Sequence, residues 1–116
     1  MPVKSSSSPV LKWPDADSVK RALKDWADAI RRARSDVLRI GYFGSYAGGR
    51  PGPGSDLDVV VVVDSSGRPF EQRSAEWDLT GLPVPADLLV YTRDEWEGLD
   101  PASRFARMIK TATVWV

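Results

Sequence analysis

The sequence predicts an α/β or α+β domain, a sheet with helices packed on it. Three observations lead there. Five consecutive valines, Val59–Val63, follow an acidic pair and read as a central strand buried on both faces. Segments 37–43 and 84–91 alternate apolar and other residues with period two. Stretches with helical spacing lie around them, the longest over about residues 15–34.

Composition narrows the class. A chain of 116 residues is one domain, and 42% apolar content supplies a core. Lys+Arg and Asp+Glu balance at 16 each, so the net charge is zero. That argues against broad electrostatic binding to nucleic acid or to an anionic membrane. No run approaches transmembrane length and no basic-then-apolar leader opens the chain, so a cytoplasmic protein is expected. Cysteine and histidine are both absent. Disulfides, thiolate or imidazole metal sites and Ser-His-Asp chemistry are thereby excluded. Any metal must be held by oxygen, which favours magnesium, manganese or calcium.

Taken in order, residues 1–13 carry Ser5-Ser6-Ser7-Ser8-Pro9 and read as a mobile tail, leaving 14–116 as the domain. Asp15 or Asp17 caps the first helix, whose apolar face is Val19, Leu23, Trp26, Ala27 and Ile30. The first strand runs Val37–Phe43, with Leu38, Ile40 and Tyr42 on one face and Val37, Arg39, Gly41 and Phe43 on the other. After the valine strand, Asp64–Pro69 is a loop, and a helix is expected over Phe70–Leu79 with Phe70 and Trp77 on one side. Val84–Tyr91 is the third strand; Pro83 and Pro85 restrict it to a strand start or an edge. Thr92-Arg93-Asp94-Glu95 has capping-box spacing. Asp100-Pro101 predicts a last helix with the stripe Phe105, Met108, Ile109, followed by a short strand over 113–116. Of the five tryptophans, Trp26 and Trp77 fit the core, whereas Trp13 and Trp96 are candidates for an exposed partner contact.

The chemistry concentrates between the first two strands. Gly44-Ser45 opens a glycine-rich turn; glycine lets a ligand approach the backbone, and free N–H groups there suit a phosphate. Taken alone, the pair also fits an ordinary turn. Asp56 and Asp58 stand two apart at the valine strand's start, so both project from one face, about 6.5 Å apart along the chain. Carboxylates that close repel unless a cation lies between them, although a strand-entry turn with solvated acids also fits. Asp87 is an acid within an otherwise apolar strand; it is either exposed at the strand's beginning or needs a partner, proton or metal.

Gly44-Ser45, ten residues, then Asp56-Leu57-Asp58 at a strand start reproduces G-S-x10-D-x-D. With Asp87 on a later strand, the chain resembles the nucleotidyltransferase superfamily that includes DNA polymerase β, and among its members the minimal single-domain nucleotidyltransferases. The resemblance spans about residues 18–116. It implies a small mixed sheet with helices on it, ATP as donor, and two magnesium or manganese ions held by Asp56, Asp58 and Asp87. It gives the nucleotide's phosphates to Gly44, Ser45, Arg50 and Ser55. One departure stands out: relatives commonly carry a basic residue after Gly-Ser, and Tyr46 is here. Either Arg50 takes over phosphate binding or Tyr46 marks another substrate preference. The resemblance further implies an antitoxin paired with a small helical HEPN-type protein, transferring AMP to a hydroxyl of that partner. Transfer to a small molecule such as an aminoglycoside, or a non-catalytic antitoxin that masks its partner, are the alternatives. No G-x-x-x-x-G-K-[ST] sequence exists, so a P-loop enzyme is excluded.

Overall fold

A computed structural model describes residues 13–116; the tail expected over the preceding residues lies outside them. Helix α1 spans Ala16–Ala33, with the Asp15 side chain accepting from the Ser18 N–H at 2.7 Å as its N-cap. Val19, Leu23, Trp26 and Ala27 are its buried stripe. Strands β1 (Val37–Phe43) and β2 (Leu57–Val63) pair antiparallel, and β2 pairs parallel with β3 (Ala86–Thr92). A two-residue β4 (Val114–Trp115) closes the far edge against Gly41 and Tyr42. The sheet order is β3-β2-β1-β4, a mixed sheet.

All five valines of β2 are buried. Val59, Val61 and Val63 face α1, in one cluster with Leu23, Trp26, Ile40, Tyr42, Leu88 and Val90. Val60 and Val62 face a second cluster with Phe43, Tyr91, Trp96 and Ile109. That second layer is built by α3 (Arg93–Glu97) and α4 (Arg104–Ala112). Both halves of the capping box on α3 form: the Glu95 N–H donates to the Thr92 hydroxyl, and the Thr92 N–H donates to the Glu95 carboxylate. β3 keeps its expected alternation, with Val84, Ala86, Leu88 and Val90 towards α1 and Leu89 and Tyr91 away from it. Both prolines precede the strand, the strand-start placement that their missing donors allow, and β3 itself lies at the sheet edge.

Four expectations are corrected. The register of β1 slips between Val37 and Arg39, where Val37 opposes Val63 and Arg39 opposes Val62. This bulge returns Val37 to the α1 face and leaves Leu38 40% exposed, off the face shared by Ile40 and Tyr42. The helix expected over Phe70–Leu79 is one turn only, α2 (Phe70–Arg73), followed by a 3-10 turn over Ser74–Glu76. Beyond it the chain extends, so Trp77 packs on Trp26 in the α1 layer while Phe70 meets Tyr91 on the opposite one. The last helix starts at Arg104, capped by Ser103; Asp100 instead closes a turn, accepting from the Ala102 N–H at 2.9 Å. Trp96 is buried, edge-on to both Tyr91 and Trp115.

Arg73, the last residue of α2, is only 5% exposed. Its guanidinium donates to the carbonyls of Arg68 and Val90, at 2.9 and 3.0 Å, and forks onto Glu95. That fork holds the Glu95 carboxyl down at about 2, from an ordinary 4.5, mainly through the hydrogen bond to Arg73. A depressed carboxyl stabilises the fold fully above pH 4.5 and loses that contribution as pH falls towards 2. Glu95→Gln should therefore be less stable than the parent at pH 6, with the gap closing by pH 2 in urea-unfolding curves. A gap independent of pH would contradict the ion pair.

Candidate active site

Backbone pairing builds the site. Cross-strand register sets Phe43 opposite Asp58 and Asp58 opposite Asp87, so three side chains form a row across one sheet face. It is the face that carries Val60, Val62 and Tyr91, away from α1. Asp56 sits one residue before β2, and the Leu57 N–H beside it donates to the Pro85 carbonyl at 2.9 Å. That bond fixes the entry of β2 against the entry of β3, and with it the acidic pair against Asp87.

The three acids feel one another. Burial, then the charge of Asp87, then that of Asp56 push the Asp58 carboxyl above its ordinary 3.8. Asp56 and Asp87 are exposed and Asp58 is half-buried. Among the described residues no three acidic side chains already stand at ligand spacing around a common centre. The donor set nevertheless fits a hard divalent cation by its chemistry: every donor is oxygen, and a cation would relieve the repulsion that raises Asp58.

Gly44 adopts φ +75° and lies against Asp58; a Cβ built on it would overlap the carboxylate outright. Only glycine combines this conformation with this approach. Its carbonyl accepts from the Gly48 N–H at 3.0 Å, and the half-buried Ser45 accepts through its carbonyl from the Arg50 N–H at 3.2 Å. These bonds close the turn that Gly44 opens beside Asp58. The Arg50 residue is exposed. Ser55 closes a smaller turn, its hydroxyl accepting from the Gly52 N–H at 3.0 Å.

Tyr46, the residue after Gly44-Ser45, is 1% exposed and packs in the α1 layer. Trp13, expected in the tail, lies within hydrogen-bonding distance of its hydroxyl at 3.5 Å. Tyr46 thus anchors the turn on the α1 side of the sheet. Tyr46→Phe should keep stability within about 1 kcal/mol of the parent. Tyr46→Lys buries an unpaired charge and should cost several kcal/mol; equal stability of the two in urea unfolding would contradict this anchor. Sequence reasoning also missed Phe43 as the neighbour of the acidic row, since only strand register reveals it.

The chain matches the family model for the nucleotidyltransferase domain over residues 23–115. No curated protein sequence matches it significantly. Among solved structures, a Sulfolobus solfataricus protein provisionally designated a nucleotidyltransferase superposes with a TM-score of 0.62 at 14% identity, covering 90% of this chain and 89% of that one. At that identity the likeness is one of fold.

Proposed function

Because this chain belongs to the nucleotidyltransferase domain family, we propose that it is a metal-dependent enzyme moving AMP from ATP onto a hydroxyl of a protein partner. The observation that carries this reading is the row Asp58–Asp87, joined by Asp56, beneath a glycine turn that only glycine can make.

In the reaction the acceptor oxygen attacks the α-phosphorus, an oxygen–phosphorus bond forms in line, and pyrophosphate leaves. Negative charge spreads over the transferring oxygens. Two magnesium or manganese ions, held by Asp56, Asp58 and Asp87, would supply charge neutralisation at both the entering and the leaving oxygen. Asp87, at the row's outer end, takes the proton of the acceptor hydroxyl. Gly44 and Ser45 present the turn backbone to the triphosphate, and Arg50 and Ser55 lie on the same loop to meet its outer charges. Register of β2 against β3 fixes the backbone positions of Asp58 and Asp87 before substrate arrives, and their side chains would still turn to reach a common centre.

Openness supports a protein acceptor. Asp56 and Asp87 lie exposed at the rim of a small sheet, where a hydroxyl presented by another protein's surface reaches them. The resemblance to minimal nucleotidyltransferases makes that partner a small helical HEPN-type protein, with this chain as antitoxin. Incubation with labelled ATP, magnesium and the product of the neighbouring gene should label that product on tyrosine, serine or threonine. Labelling should vanish in Asp58→Ala. Robust transfer to a sugar or small alcohol, with the neighbouring protein unlabelled, would falsify the protein acceptor and leave nucleotidyl transfer standing.

A further inference from the structure

We propose that Phe105 is a stacking platform for the nucleobase of the donor nucleotide, set at the β1 flank of the carboxylate row. The inference rests on the nucleotidyl-transfer reading above. Phe43 is in register with Asp58, and Asp58 with Asp87. With strands about 4.8 Å apart, the Phe43 backbone lies roughly 10 Å from that of Asp87 on the same face. Phe105 comes to this flank from α4, meeting Phe43 edge-on with ring centroids 6.2 Å apart and planes at 85°.

The two rings differ in what they leave open. Phe43 is buried, but Phe105 is 45% exposed. The buried residues of α4 are Ala106 and Ile109, with Met108 packed against the second cluster, whereas Phe105 meets only Phe43 among the aromatic rings of the described residues and keeps nearly half its surface open. An edge-on contact positions the ring and leaves much of its surface to solvent. The chain runs from Phe43 directly into Gly44 and Ser45, which places the phosphate turn and the exposed phenyl on one flank, with Asp87 on the other. A nucleotide held by its phosphates at the turn carries its base towards Phe105 and leaves the Asp87 side to the acceptor. Stacking on a phenyl tolerates every base and favours the larger face of a purine.

Calorimetric titration of the full chain in magnesium separates base from phosphate. Two probes serve, ATP and inorganic tripolyphosphate. Phe105→Ala should weaken ATP about tenfold and leave tripolyphosphate unchanged. Phe105→Trp should retain ATP affinity. Phe105→Leu keeps apolar bulk without a ring and should lose affinity as the alanine variant does. Unchanged ATP affinity in Phe105→Ala, equal loss for both probes, or full affinity in Phe105→Leu would each overturn the platform. A parent protein that binds neither probe would overturn the nucleotidyl-transfer reading itself, and the platform with it.

Discussion

Replacing Asp58 by asparagine should lower nucleotidyl transfer at least about a hundredfold while making the metal-free protein more stable at pH 7. On the proposed reading the activity loss follows from the carboxylate's place in the row: asparagine keeps the shape but lacks the charge to hold cations that would neutralise the transferring phosphoryl group. The stability gain follows from the same electrostatics with opposite sign. Burial and the charges of Asp87 and Asp56 raise the Asp58 carboxyl above 3.8, so its ionisation opposes folding. That penalty is absent below pH 3.8 and complete once pH exceeds the raised value. Urea unfolding in chelator should therefore find Asp58→Asn more stable than the parent at pH 7 and equal to it near pH 3. Transfer per folded molecule, measured in magnesium, supplies the other half. A variant that unfolds at pH 7 yet transfers normally when folded would reverse the assignment of Asp58 from chemistry to structure.

The second large effect is expected at Gly44. Any side chain there meets two costs. The positive φ strains a residue with a Cβ by about 1–3 kcal/mol. The new Cβ then overlaps the Asp58 carboxylate, which must shift from its present position. Gly54 provides the control, because it also has a positive φ, +85°, but a Cβ there would meet nothing within 4 Å. Gly44→Ala and Gly54→Ala should thus lose similar backbone stability, and only Gly44→Ala should lose transfer, by more than tenfold. Gly44→Val should be worse still. Thermal melts paired with single-turnover transfer separate the two costs; equal transfer in both alanine variants would dissociate Gly44 from the site.

Local signals decided much of this molecule in advance. Period-two alternation placed the faces of β3 residue by residue, and the β-branched run Val59–Val63 marked the buried central strand. The capping residues Asp15 and Thr92 act within three residues of themselves, so their bonds are legible in the sequence. Where a longer-range contact competed, local pattern lost. Helical spacing alone would extend α2 to Leu79, but Arg73 is buried on Glu95, a 3-10 turn follows over Ser74–Glu76, and the chain is extended at Trp77, which packs against Trp26. Tyr46 is similar: its neighbours suggest a ligand loop, and only the core beneath shows it to be an anchor.

By itself the sequence determined the oxygen-only donor chemistry, through the absence of cysteine and histidine, and the two-residue spacing of Asp56 and Asp58 about the entry of β2. Those are properties of residue type and of spacing along a single strand. Tertiary structure alone decided the parallel register that sets Asp87 beside Asp58, and the antiparallel register that brings Phe43 to the same row. It also decided the bulge that turns Leu38 out and the approach of Phe105 to Phe43. The reason is that strand register is fixed by which faces must be buried together and by hydrogen bonds between distant segments, such as Leu57 to Pro85.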